Sequence, residues 1–305
     1  MERIFKRKLY ERLLEWKRVQ NGKSAILIEG ARRVGKSTLV EQFAKNEYES
    51  YILIDFNEAS DEVKSLFSNI MDKDFLFLQL QAIYNVVLKE RRSVIVFDEV
   101  QNCPLARQSI KYLVKDGRYD YIETGSLISV KKSTKDIALP SEEERVTLYP
   151  MDYEEFRWAL GDEVTVPLLR TFYEKRLPLD KALRDKMRDF RLYMLIGGMP
   201  QAVETYLETN NFALVDRVKR GIINIYQADF QKLDPTGRLE TLFMEIPSQL
   251  SKASGRYRPY SVLGKVDGDK LTDLMRNLED SKTVLISHHS NEPNVGMSLT
   301  KKLSR

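Results

Sequence analysis

The sequence predicts an α/β fold in which a parallel sheet lies between helices, followed by a largely helical second half, and three observations predict it. Five short apolar segments, Ser24 to Ile28, Tyr51 to Phe56, Ser93 to Phe97, Tyr119 to Glu123 and Arg145 to Leu148, recur through the first 150 residues. The first four are separated by stretches long enough for crossover helices, which parallel strands require. A glycine-bearing turn, Gly30-Ala31-Arg32-Arg33-Val34-Gly35-Lys36-Ser37, joins the first of them to a helical segment with the spacing G-x-x-x-x-G-K-[ST].

Phe5 to Arg18 carries Leu9, Leu13, Leu14 and Trp16 between charges, an amphipathic helix ahead of the sheet. Ser24 to Ile28 is continuously apolar, as a strand buried on both faces must be, and Thr38 to Ala44 reads as the helix after the turn. Strand, loop and helix in that order argue against a chance glycine turn. Gly30 and Gly35 let the backbone curl so that successive N–H groups point inward at a polyphosphate, and the helix adds its positive end. Lys36 would reach the β- and γ-phosphates, and Ser37 would offer its hydroxyl to Mg²⁺.

Phe75 to Lys89 gives a helix with Phe75, Leu78, Leu80, Ala82, Ile83, Val86 and Val87 on its apolar face. The apolar run Ser93 to Phe97 ends in Asp98 and Glu99, at the carboxyl edge where ligands bind in such sheets. Asp98 would hold Mg²⁺ through its water shell and Glu99 would accept a proton from the attacking water, although an acidic strand end also caps a following helix. The fourth strand leads into Thr124-Gly125-Ser126 at the same edge. Thr124 or Ser126 would sense the γ-phosphate or orient the water; the alternative is a hydroxyl capping the next helix. Lys131 to Glu144 reads as an exposed loop beside the site.

In the second half, Pro150 to Leu160 gives a helix after a proline break, and Leu183 to Ile196 gives another that stops at Gly197-Gly198. Gly197-Gly198-Met199-Pro200 makes either a tight turn near the nucleotide or a plain helix-to-helix turn. Helices over Leu239 to Ser251 and Asp267 to Glu279 precede a strand at Lys282 to Ser287, a turn at Ser290 to Asn294 and an extended Val295 to Leu299, the order of a winged helix. This gives a core over 1–150, a helical lid over 151–235 and a winged-helix region over 236–305. The last carries eleven basic and eight acidic residues. Arg256, Arg258, Lys265 and Lys270 are its candidate DNA contacts, against a protein-contacting or structural role.

Composition narrows the function classes. The chain has 305 residues, 49 basic and 45 acidic, a net +4 too mild to imply nucleic acid by itself. A single cysteine, Cys103, excludes an internal disulfide and a cysteine zinc site. His288 and His289 are adjacent and lack a completing Cys or acidic cluster. With no run of eighteen apolar residues, no membrane contact is expected, and a cytoplasmic location is.

Gly30 to Thr38, Val96-Phe97-Asp98-Glu99-Val100-Gln101, Thr124 to Ser126, Val146 to Phe156 and Leu195 to Val203 together resemble the prokaryotic AAA-superfamily ATPases that carry a C-terminal domain of unknown function. The resemblance spans nearly the whole chain. It implies a P-loop NTPase with an additional-strand ATPase core, the phosphate-loop strand lying between the fourth and fifth strands, then a helical lid and a winged helix. It implies ATP and Mg²⁺ as ligands. The nucleotide-binding segment would be Gly30, Ala31, Arg32, Arg33, Val34, Gly35, Lys36, Ser37 and Thr38, with Ser37 and Asp98 toward the metal, Glu99 for hydrolysis and Thr124 or Ser126 as sensor. Members continue past the winged helix into a nuclease-like domain, whereas this chain stops at Arg305, so that C-terminal domain is expected to be missing and the chain truncated. Leu127 also departs from the family, which often has serine there.

Phosphoryl transfer commonly needs a cation beyond the loop lysine, in cis or from a neighbouring subunit. Arg145, Arg118 and Arg191 are candidates, while Arg32 and Arg33 project from the loop itself. The expected function is a Mg²⁺-dependent ATPase whose hydrolysis drives a switch between the core and its C-terminal adaptor. The alternatives are a nucleotide-gated protein or DNA adaptor with negligible turnover, and a small-molecule kinase.

Overall fold

The apolar runs fold into a five-stranded sheet whose paired strands all run parallel, in the order β2-β3-β4-β1-β5. The strands are β1 (Ala25–Glu29), β2 (Ser50–Asp55), β3 (Ser93–Asp98), β4 (Asp120–Gly125) and β5 (Glu143–Thr147). The computed structural model describes residues 3–68, 70–126, 142–178, 181–252 and 255–287. β1, β3 and β4 are buried at every position, as continuous apolar runs without period-two alternation require. The phosphate-loop strand β1 lies between β4 and β5, as the family resemblance implies. β5 begins two residues earlier than its apolar pattern suggests, at Glu143, which takes the end of the expected loop into the sheet; residues 131–141 of that loop lie outside the described residues.

Helices flank the sheet: α1 (Lys8–Gln20), α2 (Lys36–Glu47), α3 (Asp61–Ser65), α4 (Lys73–Tyr84) and α5 (Pro104–Asp116). Ala25, Leu27, Ile52, Ile54, Ile95 and Phe97 join Leu76, Phe77, Leu80, Ala106 and Ile110 in one core cluster under α4 and α5. α2 buries Leu39, Val40, Phe43 and Ala44 and contacts β2, β3 and β4.

α4 differs from its sequence reading in length and in face. Asp72 caps its start by accepting the Phe75 N–H, and Asn85, at φ 50°, ends it, so residues 85–89 are not helical. It buries Leu76, Phe77 and Leu80 and leaves Phe75, Leu78 and Ile83 exposed. Apolar residues occur all round this segment, so periodicity did not choose a face; the sheet did, through contacts such as the edge-on packing of Phe77 against Tyr119.

Two compact units divide the chain, Met1–Asp229 and Phe230–Arg305. The first holds the sheet and also α6 (Tyr153–Ala159), α7 (Thr165–Glu174), α8 (Lys181–Ile196), α9 (Pro200–Thr209) and most of α10 (Phe212–Leu233). α6 starts in a capping box, Asp152 accepting from Glu155 N–H while the Glu155 carboxylate accepts from Asp152 N–H. Met151, Phe156, Ile196, Ala202, Val203 and Val215 form a second core cluster, with Phe5 against it. Gly197, at φ 83°, stops α8, and Met151 N–H donates to the Gly198 carbonyl at 2.7 Å.

The second unit contains α11 (Arg238–Met244), α12 (Ile246–Leu250), α13 (Pro259–Leu263) and α14 (Gly268–Asp280). The single helix expected over Leu239 to Ser251 is broken after Met244, because Pro247 lacks an N–H and suits the first turn of a new helix. Lys282 to Ser287 forms no strand, which corrects the expected hairpin: no partner strand is present for it among the described residues. The expected turn at Ser290 to Asn294, the extended Val295 to Leu299 and His288-His289 lie outside the described residues.

Candidate functional site

The carboxyl ends of β1, β3 and β4 carry the residues that the sequence singled out. Gly30 is required at its position, since a Cβ there would sit 2.3 Å from the Leu148 carbonyl oxygen where β5 runs out. Gly35 caps α2 at φ 90°, a conformation that side chains disfavour, and Arg33 also has positive φ, at 67°. Ala31 and Val34 turn inward and are buried, Arg33 and Ser37 are exposed, and Thr38 is half-buried in the first turn of α2. Pro200 approaches the same loop, its Cγ 3.7 Å from where a Gly35 Cβ would lie.

Lys36 is only 5% exposed, and its Nζ donates to the Gly30 and Ala31 carbonyls, each at 3.1 Å. Burial lowers its pKa, opposed by the charges of Glu99 and Asp98. Asp98 is 4% exposed, and burial raises its pKa although Thr124 and Ser37 hydroxyls hydrogen-bond to its carboxylate; Glu99 and Asp55 add to the rise. Asp55 lies beside Asp98 in the β2–β3 register and was not singled out from sequence.

Thr124 is the link at this edge. Its hydroxyl donates to Asp98 Oδ1 and accepts from the Glu99 N–H at 3.1 Å. Ser126 follows at the same edge, half-buried. Glu99 has φ 52°, a strained conformation for a residue with a side chain, and the Gln101 amide donates to its carboxylate.

The candidate arginines are not gathered at this edge. Arg118 precedes β4, at the opposite end of the sheet, and is tied to Asp116 and Asp74 at 2.6 Å each, which corrects its candidacy in cis. Arg145 lies mid-strand in β5 and pairs with Glu143 at 2.8 Å. Arg191 is exposed on α8. The arginine that does meet the loop is Arg7, overlooked in the sequence because its partners are distant: Nη1 donates to the Val34 carbonyl at 2.8 Å. From the other side, α10 holds Arg32, the Tyr226 hydroxyl donating to its carbonyl at 2.8 Å and Asp229 pairing with its guanidinium at 3.2 Å.

Among the described residues no helix is long and apolar enough to cross a membrane, and no cluster of His, Cys, Asp and Glu could hold a metal by itself.

Residues 22–157 match the family model of an AAA domain, and residues 187–303 match a domain of unknown function, DUF8612. The second match overturns the expectation that the C-terminal domain of unknown function is missing. No curated protein matches the chain. A Walker-type ATPase of Pyrococcus abyssi superposes with a TM-score of 0.54 at 21% identity, covering 91% of this chain and 90% of that one, a likeness of fold. The ORC1 protein of Aeropyrum pernix in complex with DNA gives a TM-score of 0.36 at 13% identity, over 92% of this chain and 85% of its own. A signal-transduction ATPase of Pyrococcus horikoshii with a tetratricopeptide-repeat sensor gives 0.38 at 13%, over 91% of this chain and 40% of its own. Neither of these two weaker likenesses bears on function. The AAA-domain match, the parallel sheet and the loop geometry together support an AAA-type P-loop ATPase domain over residues 22–157.

Proposed function

We propose that this chain binds ATP with Mg²⁺ and hydrolyses it, and that hydrolysis switches the loop-bound helices against the rest of the chain. The observation that carries the proposal is the convergence of Lys36, Ser37, Asp98, Glu99 and Thr124 within one network at the sheet's carboxyl edge. Lys36 would leave the loop carbonyls for the β- and γ-phosphates. Mg²⁺ fits Ser37 and Asp98, because Asp98 is a buried carboxylate whose charge is disfavoured and a cation would offset that; when bound it would neutralise charge on the phosphate oxygens. Glu99 would take the proton of the attacking water, its strained backbone fixed by Thr124. α10 holds Arg32 and runs on to Leu233, so displacement of the loop on hydrolysis would be carried along that helix.

A nucleotide-gated adaptor with negligible turnover is the second reading, favoured by the Gln101 amide that already occupies the Glu99 carboxylate. Under either reading an arginine supplied by a second copy would complete the site, and exposed Arg256, Arg258, Lys265 and Lys270 would meet a protein or DNA partner. Phosphate release from ATP and Mg²⁺, measured across protein concentration, separates the readings. Turnover lost in Glu99→Gln and Lys36→Ala, with ATP still bound by Glu99→Gln, supports hydrolysis, and a rate per chain that rises with concentration supports an arginine in trans. Native turnover equal to that of Glu99→Gln refutes it and leaves the adaptor.

A further inference from the structure

The segment before α1 places a charged side chain where charge is costly. Arg7 is 6% exposed, in an extended conformation at the start of α1. Its guanidinium spends its fork on three partners. Nη1 donates to the Val34 carbonyl at 2.8 Å, Nη2 donates to the Tyr149 carbonyl at 2.5 Å, and Nε lies 3.2 Å from Glu155 Oε2. Glu155 is itself fixed: its Oε1 accepts the Lys8 N–H at 2.7 Å, and its Oε2 accepts the Asp152 N–H of the α6 capping box at 3.3 Å. Arg7 therefore ties the phosphate loop to the end of β5 and to α6 through one buried group.

We infer that Arg7 is a positioning residue for the phosphate loop: it pins the Val34–Gly35 peptide so that the Gly35 N–H stays directed into the loop. The carbonyl and the N–H of a trans peptide point in opposite directions, so fixing Val34 O from outside fixes Gly35 N–H toward the inside. This peptide needs fixing, because Gly35, at φ 90°, is the link whose backbone rotates at least cost. A flipped peptide would present a carbonyl, not a donor, to an anionic phosphate. Only a planar fork reaches two carbonyls and a carboxylate together; a lysine would keep the charge and lose the geometry. The inference rests on the proposed nucleotide-binding reading and adds to it a residue outside the loop motif.

The test is calorimetric binding of ATP with Mg²⁺ to the full chain, with melting temperature recorded for each variant. Arg7→Ala and Arg7→Lys are expected to raise Kd by about ten- to a hundredfold, the loss of one charge-assisted hydrogen bond to the loop. Added guanidinium at sub-denaturing concentration should restore part of the affinity of Arg7→Ala, which a merely structural role would not predict. Glu155→Gln keeps the shape but loosens the anchor of Arg7, and should raise Kd by a smaller factor. An unchanged Kd in folded Arg7→Lys overturns the inference, as does an unchanged Kd in Glu155→Gln should the Arg7 variants not fold. If the native chain binds no ATP, the functional reading fails and this inference with it; if the native chain binds and the variants match it, the inference alone fails.

Discussion

Gly198 offers the sharpest test of how the second half is locked to the sheet. A Cβ at this position would lie 2.0 Å from the Met151 carbonyl oxygen and 2.9 Å from Met151 N, whereas ordinary contact begins at 3.4 Å. Gly198→Ala must therefore push the α8–α9 turn about 1.4 Å from the Met151 backbone, the difference of those two distances. That retreat breaks the 2.7 Å hydrogen bond from Met151 N–H to the Gly198 carbonyl and disturbs the Tyr193 hydroxyl on Met151 O at 2.9 Å. Overpacking of this kind costs about 1–3 kcal/mol and the lost hydrogen bond about 1 more, so roughly 2–4 kcal/mol in all. For a unit of this size the melting temperature falls about 2–4 °C per kcal/mol, or roughly 4–16 °C. Gly197→Ala is the control, with no atom of the described residues beyond its chain neighbours within 4 Å of its Cβ and its positive φ to oppose it, a cost of about 1–2 kcal/mol. Thermal unfolding of both variants decides. A melting temperature for Gly198→Ala no lower than that of Gly197→Ala would refute the reasoning.

Two further predictions concern buried carboxyl groups whose pKa is raised, and the sign is the same for both. A raised folded-state pKa stabilises fully below the unfolded value, and that stability is lost as pH rises through the folded value. Asp98→Asn should thus raise the melting temperature of the ligand-free chain more at about pH 8 than at about pH 5, while abolishing Mg²⁺-dependent nucleotide turnover; equal shifts at the two pH values would count against buried charge as the cause. Glu123 is wholly buried, and burial together with neighbouring Glu143 pushes its pKa well above the usual carboxylate range, against the pull of Arg107. Glu123→Gln should melt with the native chain in acid and above it in base, and parallel melting-temperature curves across pH would contradict this.

The parts of the fold that were legible are those whose signal is local. β1, its loop and α2 announce themselves through an unbroken apolar run followed by two glycines at fixed spacing, and β3 through a run that ends in Asp98-Glu99. Where choice depends on a distant surface, the local signal fails. Phe75 and Leu76 are equally apolar, and only the sheet decides that Leu76 is buried. The break at Pro247 overrides a continuous amphipathic pattern, and a β-rich run at Lys282 to Ser287 has no partner among the described residues to make it a strand. Of the site, the loop and its two carboxylates could be read, but the residues that grip the loop could not. Arg7 lies 27 positions before Val34, and Tyr226 lies 194 after Arg32, separations with no periodicity to follow.

The site residues share a property that favours a ligand over a purely structural role. Lys36 and Asp98 are buried charges whose ionised forms burial disfavours, and Glu99 holds a backbone conformation that residues with side chains avoid. Each is a cost in the protein alone, and the apolar core of the sheet is built from other residues. The same costs would become gains with an anionic polyphosphate and its cation: the ammonium would gain a counter-charge, and the carboxylate a divalent partner. A helix cap would need the Asp98 oxygens turned to backbone N–H groups, yet they are taken by the hydroxyls of Thr124 and Ser37. The serine belongs to the loop and the threonine to β4, so the carboxylate joins the two elements where a phosphate and its metal would lie. Stability given up at this edge is what the binding of nucleotide would offset.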